Sequence, residues 1–282
     1  MTRPVSARLD LMTRRFWRRT CRPVDLTGAE AWLAAPMSTG STVEDSWVGA
    51  AAQALGGEAL DRPHAGLLAD MTQLDGPAFR SADLRPEIRD FYEHTSDWRM
   101  EVWTQWSPVF QPGGELVSRL FGHRVQQLAL PTRPLDVARG MDSRITVLTD
   151  GTGAQRAAAW LRTLRPSGGY VYSGCYSARA LPGRTQPGVH VAFPLESGNV
   201  QVFLRPRLLP RGGLELASPP GRFGDDGAYV VVDDRGTHAA RVPLHETFQV
   251  YVDEEGTLRT DHVLRLWSAT AVRLHYKLLP LS

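Results

Sequence analysis

Beyond residue 141 the chain is written as short runs of alternating apolar and polar residues, each broken by Gly, Pro or Asp, and few folds accept such a pattern. A period of two sends successive side chains to opposite faces of a strand. Turn signals as tight as Glu196-Ser197-Gly198-Asn199 and Asp253-Glu254-Glu255-Gly256 make consecutive strands antiparallel hairpins. The pattern predicts strands near residues 143–149, 155–163, 169–179, 188–195, 199–206, 213–217, 227–233, 244–252, 257–267 and 270–279. A row of strands this long leaves unpaired edges unless it curls, so an antiparallel β-barrel or strongly curved sheet is expected.

The first half reads differently. Residues 1–22 carry Arg3, Arg8, Arg14, Arg15, Arg18, Arg19 and Arg22 against Asp10, with Leu9, Met12 and Phe16 at helical spacing and Trp17 beside them. Such a basic amphipathic segment either packs its apolar stripe on the body as a first helix or lies on an anionic membrane surface. Thr27 is placed to cap a short helix through Ala35. Ser41-Thr42-Val43-Glu44 fits a capping box for a helix near 43–55, which Gly56-Gly57 would stop. Asp83 is placed to cap a helix with Pro86 in its first turn and Ile88, Phe91 and Tyr92 on one face, ending near Thr95. Residues 98–106 are dense in aromatic and β-branched side chains and read as a strand, although Trp98, Val102 and Trp106 also fit helical spacing. Residues 114–129 fit a helix through Leu116, Leu120 and Val125, stopped by Pro131 and Pro134.

The expected fold is therefore α+β, with a helical N-terminal region over residues 1–141 packed on an antiparallel barrel or curved sheet over residues 142–282. The strand pattern of residues 142–279 resembles the lipocalin type of architecture, without a diagnostic motif. That resemblance implies a barrel around a small-ligand cavity and, by itself, no activity.

Composition narrows the partners. The chain has 282 residues, 42% of them hydrophobic and 22% charged, enough to bury a sizeable core. Lys277 is the only lysine, Asn199 the only asparagine, and Ile88 and Ile145 the only isoleucines. Residues with AT-rich codons are thus avoided, so the arginine content follows a GC-rich bacterial genome rather than nucleic-acid binding. Outside residues 1–22 the arginines are dispersed among acids, and no nucleic-acid partner is expected. Cys21 and Cys175 lie far apart and form no CxxC motif, which suits two free thiols in a reducing cytoplasm. No apolar run approaches the roughly 18 residues of a membrane span, and no signal-peptide pattern is visible. A cytoplasmic protein is expected.

The common catalytic motifs are missing. There is no GxxxxGK[ST], and the lone Lys277 lies in the last predicted strand. Gly151-Thr152-Gly153 is not continued as a dinucleotide fingerprint, no GxSxG occurs, and His245-Glu246 is followed by Gln249 where a zincin needs His. Cofactor-free acid–base chemistry or ligand binding remains, with neither cofactor nor metal expected. A metal site assembled from distant His, Asp and Glu is left open.

The last three predicted strands carry the sharpest signal. Leu244, Glu246, Phe248, Val250 and Val252 share one face, as do Leu258, Thr260, His262, Leu264 and Leu266, and Val272, Leu274, Tyr276 and Leu278. Each apolar face thus carries one strong hydrogen-bonding group. Matching the faces sets Glu246 opposite His262 and His262 opposite Tyr276, or each pair one diagonal step apart. Glu246 or His262 is then the candidate general base, and Tyr276 the donor that stabilises an enolate-like oxygen. The alternative is a satisfied polar cluster that fixes register. Tyr172 and Tyr176, on one face of 169–179 with Tyr170, are candidates for lining a ligand cavity. His94, Trp98 and Trp103 are candidates for a further wall, with Trp106 nearby and Glu93 and Asp97 beside His94 as ligand-capable acids. Gly221-Arg222-Phe223-Gly224-Asp225-Asp226-Gly227 reads as a turn whose acids can take a cation. The expected function is that of a cofactor-independent isomerase, cyclase or dehydratase, of the kind used in secondary metabolism, acting on a hydrophobic small molecule. The alternative is a non-catalytic binder or carrier of an apolar ligand.

Overall fold

The computed structural model describes residues 20–38, 43–108, 141–165, 168–233 and 235–281. In chain order these form β1 (Arg22–Pro23), α1 (Val48–Ala54), β2 (Gly56–Leu60), α2 (Pro86–Glu93), β3 (Trp98–Trp106), β4 (Met141–Asp150), β5 (Gln155–Leu164), β6 (Tyr170–Arg179) and β7 (Gly188–Leu195). They continue with β8 (Gly198–Leu209), β9 (Gly213–Ala217), β10 (Gly227–Asp233), β11 (Thr237–Val242), β12 (Leu244–Val252), β13 (Leu258–Leu266) and β14 (Ala269–Pro280). The strands join in one antiparallel sheet in the order β2-β4-β5-β6-β7-β8-β9-β12-β13-β14-β3. The sheet forks at β8. The first half of β8 pairs with β10, which leads on to β11 and β1, and its second half pairs with β9.

Each run read as a strand forms one, and residues 98–106 add a strand beside β14. Three readings are corrected. Among the described residues the sheet fits a curved one but not a closed barrel, since β2 and β3 end the row without pairing with each other. The described N-terminal residues are not a helical section, because α1 and α2 span only 7 and 8 residues among loops and single 3-10 turns. Nor do the expected caps hold. The Thr27 amide and hydroxyl both donate to Asp25 Oδ1, at 2.9 and 2.7 Å, forming an Asx turn in place of a capped helix. Asp83 lies in a 3-10 turn, and α2 begins at Arg85-Pro86 without a side-chain cap. The basic segment through residue 19, Ser41-Thr42 and the helix expected over 114–129 fall outside the described residues.

Gly56-Gly57 does end α1, but it also opens β2. A side chain at Gly57 would strike the Thr149 carbonyl, so this glycine is what lets β2 lie against β4. On the inner face, Ala158 and Trp160 of β5, Val189, Val191 and Phe193 of β7, and Val202 and Leu204 of β8 join Ile88, Phe91 and Tyr92 of α2 in the largest core cluster. That helix lays its apolar side on the hollow of the sheet, as the spacing of those three residues requires. On the outer face, Trp47, Val48, Ala51 and Ala52 cover Leu148, Ala157, Ala159 and Cys175. Cys21 and Cys175 are free and buried, and burial pushes the Cys175 thiol up to about 12.

The segment ahead of α1 is tied to the outer face by a buried polar chain. His190 Nδ1 contacts Ser177 Oγ at 3.1 Å and its Nε2 contacts Gln201 Oε1 at 2.8 Å. Gln201 Nε2 in turn donates to Leu33 O and Asn199 Oδ1, both at 2.9 Å. Full burial, helped by the nearby Arg179 charge, holds the His190 imidazole well below its ordinary value, so the ring is neutral when folded. The unfolded chain takes up this proton below about pH 6.5 and the folded chain does not. His190 thus leaves stability intact above that pH and lowers it by about 1.4 kcal/mol per unit as pH falls further. Urea unfolding at pH 7.5 and 5.5 should show this loss. His190→Gln should remove this share of it, leaving that of His245, which burial also lowers.

Candidate functional site

Two hairpins set the site. The β12–β13 turn is built on Asp253, whose Oδ1 accepts from the amides of Glu255 and Thr257 at 3.0 and 2.8 Å, while Oδ2 accepts from Arg259 Nε at 2.7 Å. Gly256 supplies the left-handed residue, φ 77°, that closes the turn. The register that follows places Val252 opposite Leu258, Phe248 opposite His262 and Glu246 opposite Leu264. The β13–β14 turn is tighter, with Leu266 opposite Ala269. Ala271 is then skipped as a β-bulge, so that Leu264 faces Val272, His262 faces Leu274 and Thr260 faces Tyr276. Glu246, His262 and Tyr276 therefore sit one diagonal step apart on a shared face, the second of the two expected arrangements.

All three border a cavity of about 170 Å³ enclosed by the curve of the sheet and roofed by Phe91 and Tyr92 of α2. Its lining is apolar apart from one group of side chains: Arg162, Tyr172, Tyr176, Glu246, Thr260, His262 and Tyr276, with the Tyr92 ring close by. The His262 ring stacks on Phe248, centroids 3.8 Å apart and planes at 17°. Its Nε2 lies 3.3 Å from Glu246 Oε2. The two are close enough to pair but not aligned, and both ring nitrogens of His262 are buried without a hydrogen bond. Tyr172 and Tyr176 join hydroxyl to hydroxyl at 2.5 Å, and both rings pack edge-on against Trp160.

The electrostatics favour proton donors along one wall. Burial raises the Tyr276 hydroxyl above its ordinary value; Glu246 adds to the shift, and Arg162, within hydrogen-bonding reach, opposes it. Burial likewise raises Tyr172 and, still further, Tyr176. These phenols stay protonated at neutral pH and present O–H groups to whatever fills the cavity. Arg162 was not singled out in the sequence, although it shares the inner face of β5 with Trp160. Its guanidinium carbon lies 3.9 Å above the Trp160 ring and 4.9 Å from that of Tyr172.

The other candidates do not meet here. His94 is half-buried, does not line the cavity and pairs with Asp90 at 2.9 Å, one turn earlier on α2. Trp103 is 53% exposed on the outer face of β3, beside His275. The alternation of that strand explains this, because it aims Met100 and Val102 into the cavity and Trp103 away. Trp98 is buried but does not line the cavity, its Nε1 donating to Asp90 Oδ2 at 3.0 Å. Glu93 accepts from the Met71 amide and Asp97 contacts His64, so the acids near His94 diverge. Asp225 and Asp226 are taken by Arg184 and Arg205. Among the described residues no three His, Cys, Asp or Glu side chains are placed to hold a metal ion.

An unbonded imidazole beside a buried carboxylate is a poor device for stability, since each group loses hydration without full repayment. Replacing the pair together, Glu246→Leu with His262→Leu, should leave the chain at least as stable as the parent in urea unfolding. A loss beyond about 2 kcal/mol would instead mark the pair as structural. Comparison of the chain with protein-family models, with curated proteins and with solved structures finds no match, so the functional reading rests on this geometry.

Proposed function

We propose that the chain is a small-molecule enzyme that moves a proton on a hydrophobic substrate enclosed by the curved sheet, using Glu246, His262 and Tyr276. The observation that carries this reading is the buried His262 ring, beside Glu246 and without a hydrogen bond, facing a mainly apolar cavity. Buried polar atoms in native proteins almost always have partners, and a bound substrate is the partner such a ring awaits.

The chemistry follows from the placement. Glu246 attracts the Nε2–H tautomer, which leaves Nδ1 with the free lone pair. His262 removes a proton from carbon next to a carbonyl, the C–H electron pair moves into the carbonyl, and the Tyr276 O–H stabilises the negative oxygen. Where the substrate carries a conjugated double bond, return of the proton from the His262 imidazolium to the far carbon of the dienolate completes an isomerisation. The same proton delivered to a β-hydroxyl, which leaves as water, gives a dehydratase; delivered to the oxygen of a second carbonyl that the carbon attacks, it gives a cyclase. These side chains supply every proton transfer that the first step needs. The mainly apolar lining lowers the local dielectric, which strengthens each of these interactions.

A carrier of an apolar ligand is the second reading, and the imperfect alignment of Glu246 with His262 favours it. The two separate in heavy water. An enzyme should accelerate deuterium uptake beside the carbonyl of an apolar ketone such as decan-2-one, followed by mass spectrometry. Glu246→Gln should cut that rate by about a hundredfold with binding of the ketone little changed. Ketone bound without accelerated exchange would establish the carrier instead.

A further inference from the structure

Arg162 sets the chemical class of the ligand. Nine described arginines pair with an acid, among them Arg22 with Glu30, Arg144 with Asp45, Arg156 with Asp150, Arg184 with Asp225, Arg205 with Asp226 and Arg259 with Asp253. Arg179, also deep in the protein, spends its charge on two carbonyls, those of Trp32 and Ala34. Arg162 has neither arrangement. It is 9% exposed, its Nε has no hydrogen-bond partner, and among the described residues no carboxylate comes within ion-pair distance of it.

What it does have are rings. The guanidinium carbon lies within cation–π distance of the Trp160 and Tyr172 rings, which satisfies the cation in part. Such contacts use none of its N–H donors, and the matching acceptor for that fork of donors is a planar carboxylate. A group with two negative charges fits less well, because Glu246 shares the cavity and the single lysine, Lys277, is not part of its lining. We infer that Arg162 is the anchor for the carboxylate of an amphipathic monocarboxylic acid whose apolar body fills the cavity. This rests on the reading of the cavity as a ligand site and adds the charge of what enters it. Tyr276 borders the same cavity, within reach of Arg162.

The test compares decanoic acid with decan-1-ol, which share a chain and differ in the head group, by calorimetric titration of the full chain at neutral pH. The acid should bind at least about tenfold more tightly, as expected for charge-assisted hydrogen bonds in a largely buried site. Arg162→Met keeps the length and apolar stem of the side chain; it should erase the difference while retaining the affinity for the alcohol. Near-UV circular dichroism verifies that this variant is folded, and the acid–alcohol comparison on the native chain decides the matter if it is not. Equal binding of acid and alcohol by the native chain would overturn the anchor and leave the cavity reading standing. A preference for the acid that survives in a folded Arg162→Met variant would also overturn the anchor. Binding of neither compound would overturn both readings.

Discussion

One extra residue in β14 decides what the interior of this protein contains. The tight turn after β13 pairs Leu266 with Ala269, and without correction that register would continue down the hairpin. Because side chains alternate with a period of two, a one-residue slip exchanges the faces of a whole strand. Arg273, His275 and Lys277 would then point into the cavity, and Leu274, Tyr276 and Leu278 toward solvent. The bulge at Ala271 restores the match, so that Leu264 meets Val272 and Thr260 meets Tyr276. Burying an unpaired charge costs several kcal/mol, so the apolar cavity depends on that bulge, and the position of Tyr276 depends on it directly.

Around this hairpin the rest of the molecule divides its polar groups by whether they are finished. On the outer face, His190, Gln201, Asn199 and Ser177 form a closed hydrogen-bonded chain that ends on the backbone at Leu33. At the turns, Asp150 and Asp253 each accept from neighbouring amides and from an arginine six residues on, Arg156 and Arg259. On the inner face the accounts stay open. Among the described residues His262 has no hydrogen bond and Arg162 no counter-ion; Arg89 Nε, Trp106 Nε1 and Arg241 Nε are also buried without a partner, but only His262 and Arg162 line the cavity. Proteins tolerate such local cost where function requires it.

The sheet was legible because its punctuation is strong. Glu196-Ser197-Gly198 and Asp253 to Gly256 mark hairpins, and alternation over 244–252, 257–267 and 270–279 brings Glu246, His262 and Tyr276 to one face. Strands β2 and β11 were not read. Gly56-Gly57 carries the signal of a helix stop, and β11 buries only Ala239 fully, too little apolar alternation to stand out. The bulge left no trace, since Ala271 is not a glycine and has no turn signature. Arg162 was hidden by the arginine-rich composition, which made any one guanidinium uninformative, although its place two residues after Trp160 put both on one face. Trp98 and Trp103 were grouped by proximity in the chain, whereas an odd spacing on a strand separates them to opposite faces. The open edge between β2 and β3 could not be read at all, because closure depends on curvature accumulated over the whole row and not on any local residue pattern.

Whether a ligand's polar end meets Arg162, His262 and Tyr276 inside the sheet is tested most directly by isotope-filtered nuclear Overhauser spectra of the chain with carbon-13-labelled decanoic acid. Contacts are expected from the methylene beside the carboxyl to ring protons of Trp160, His262 or Tyr276. Contacts confined to exposed rings such as Trp103 and Trp267, with the cavity rings silent, would contradict that placement.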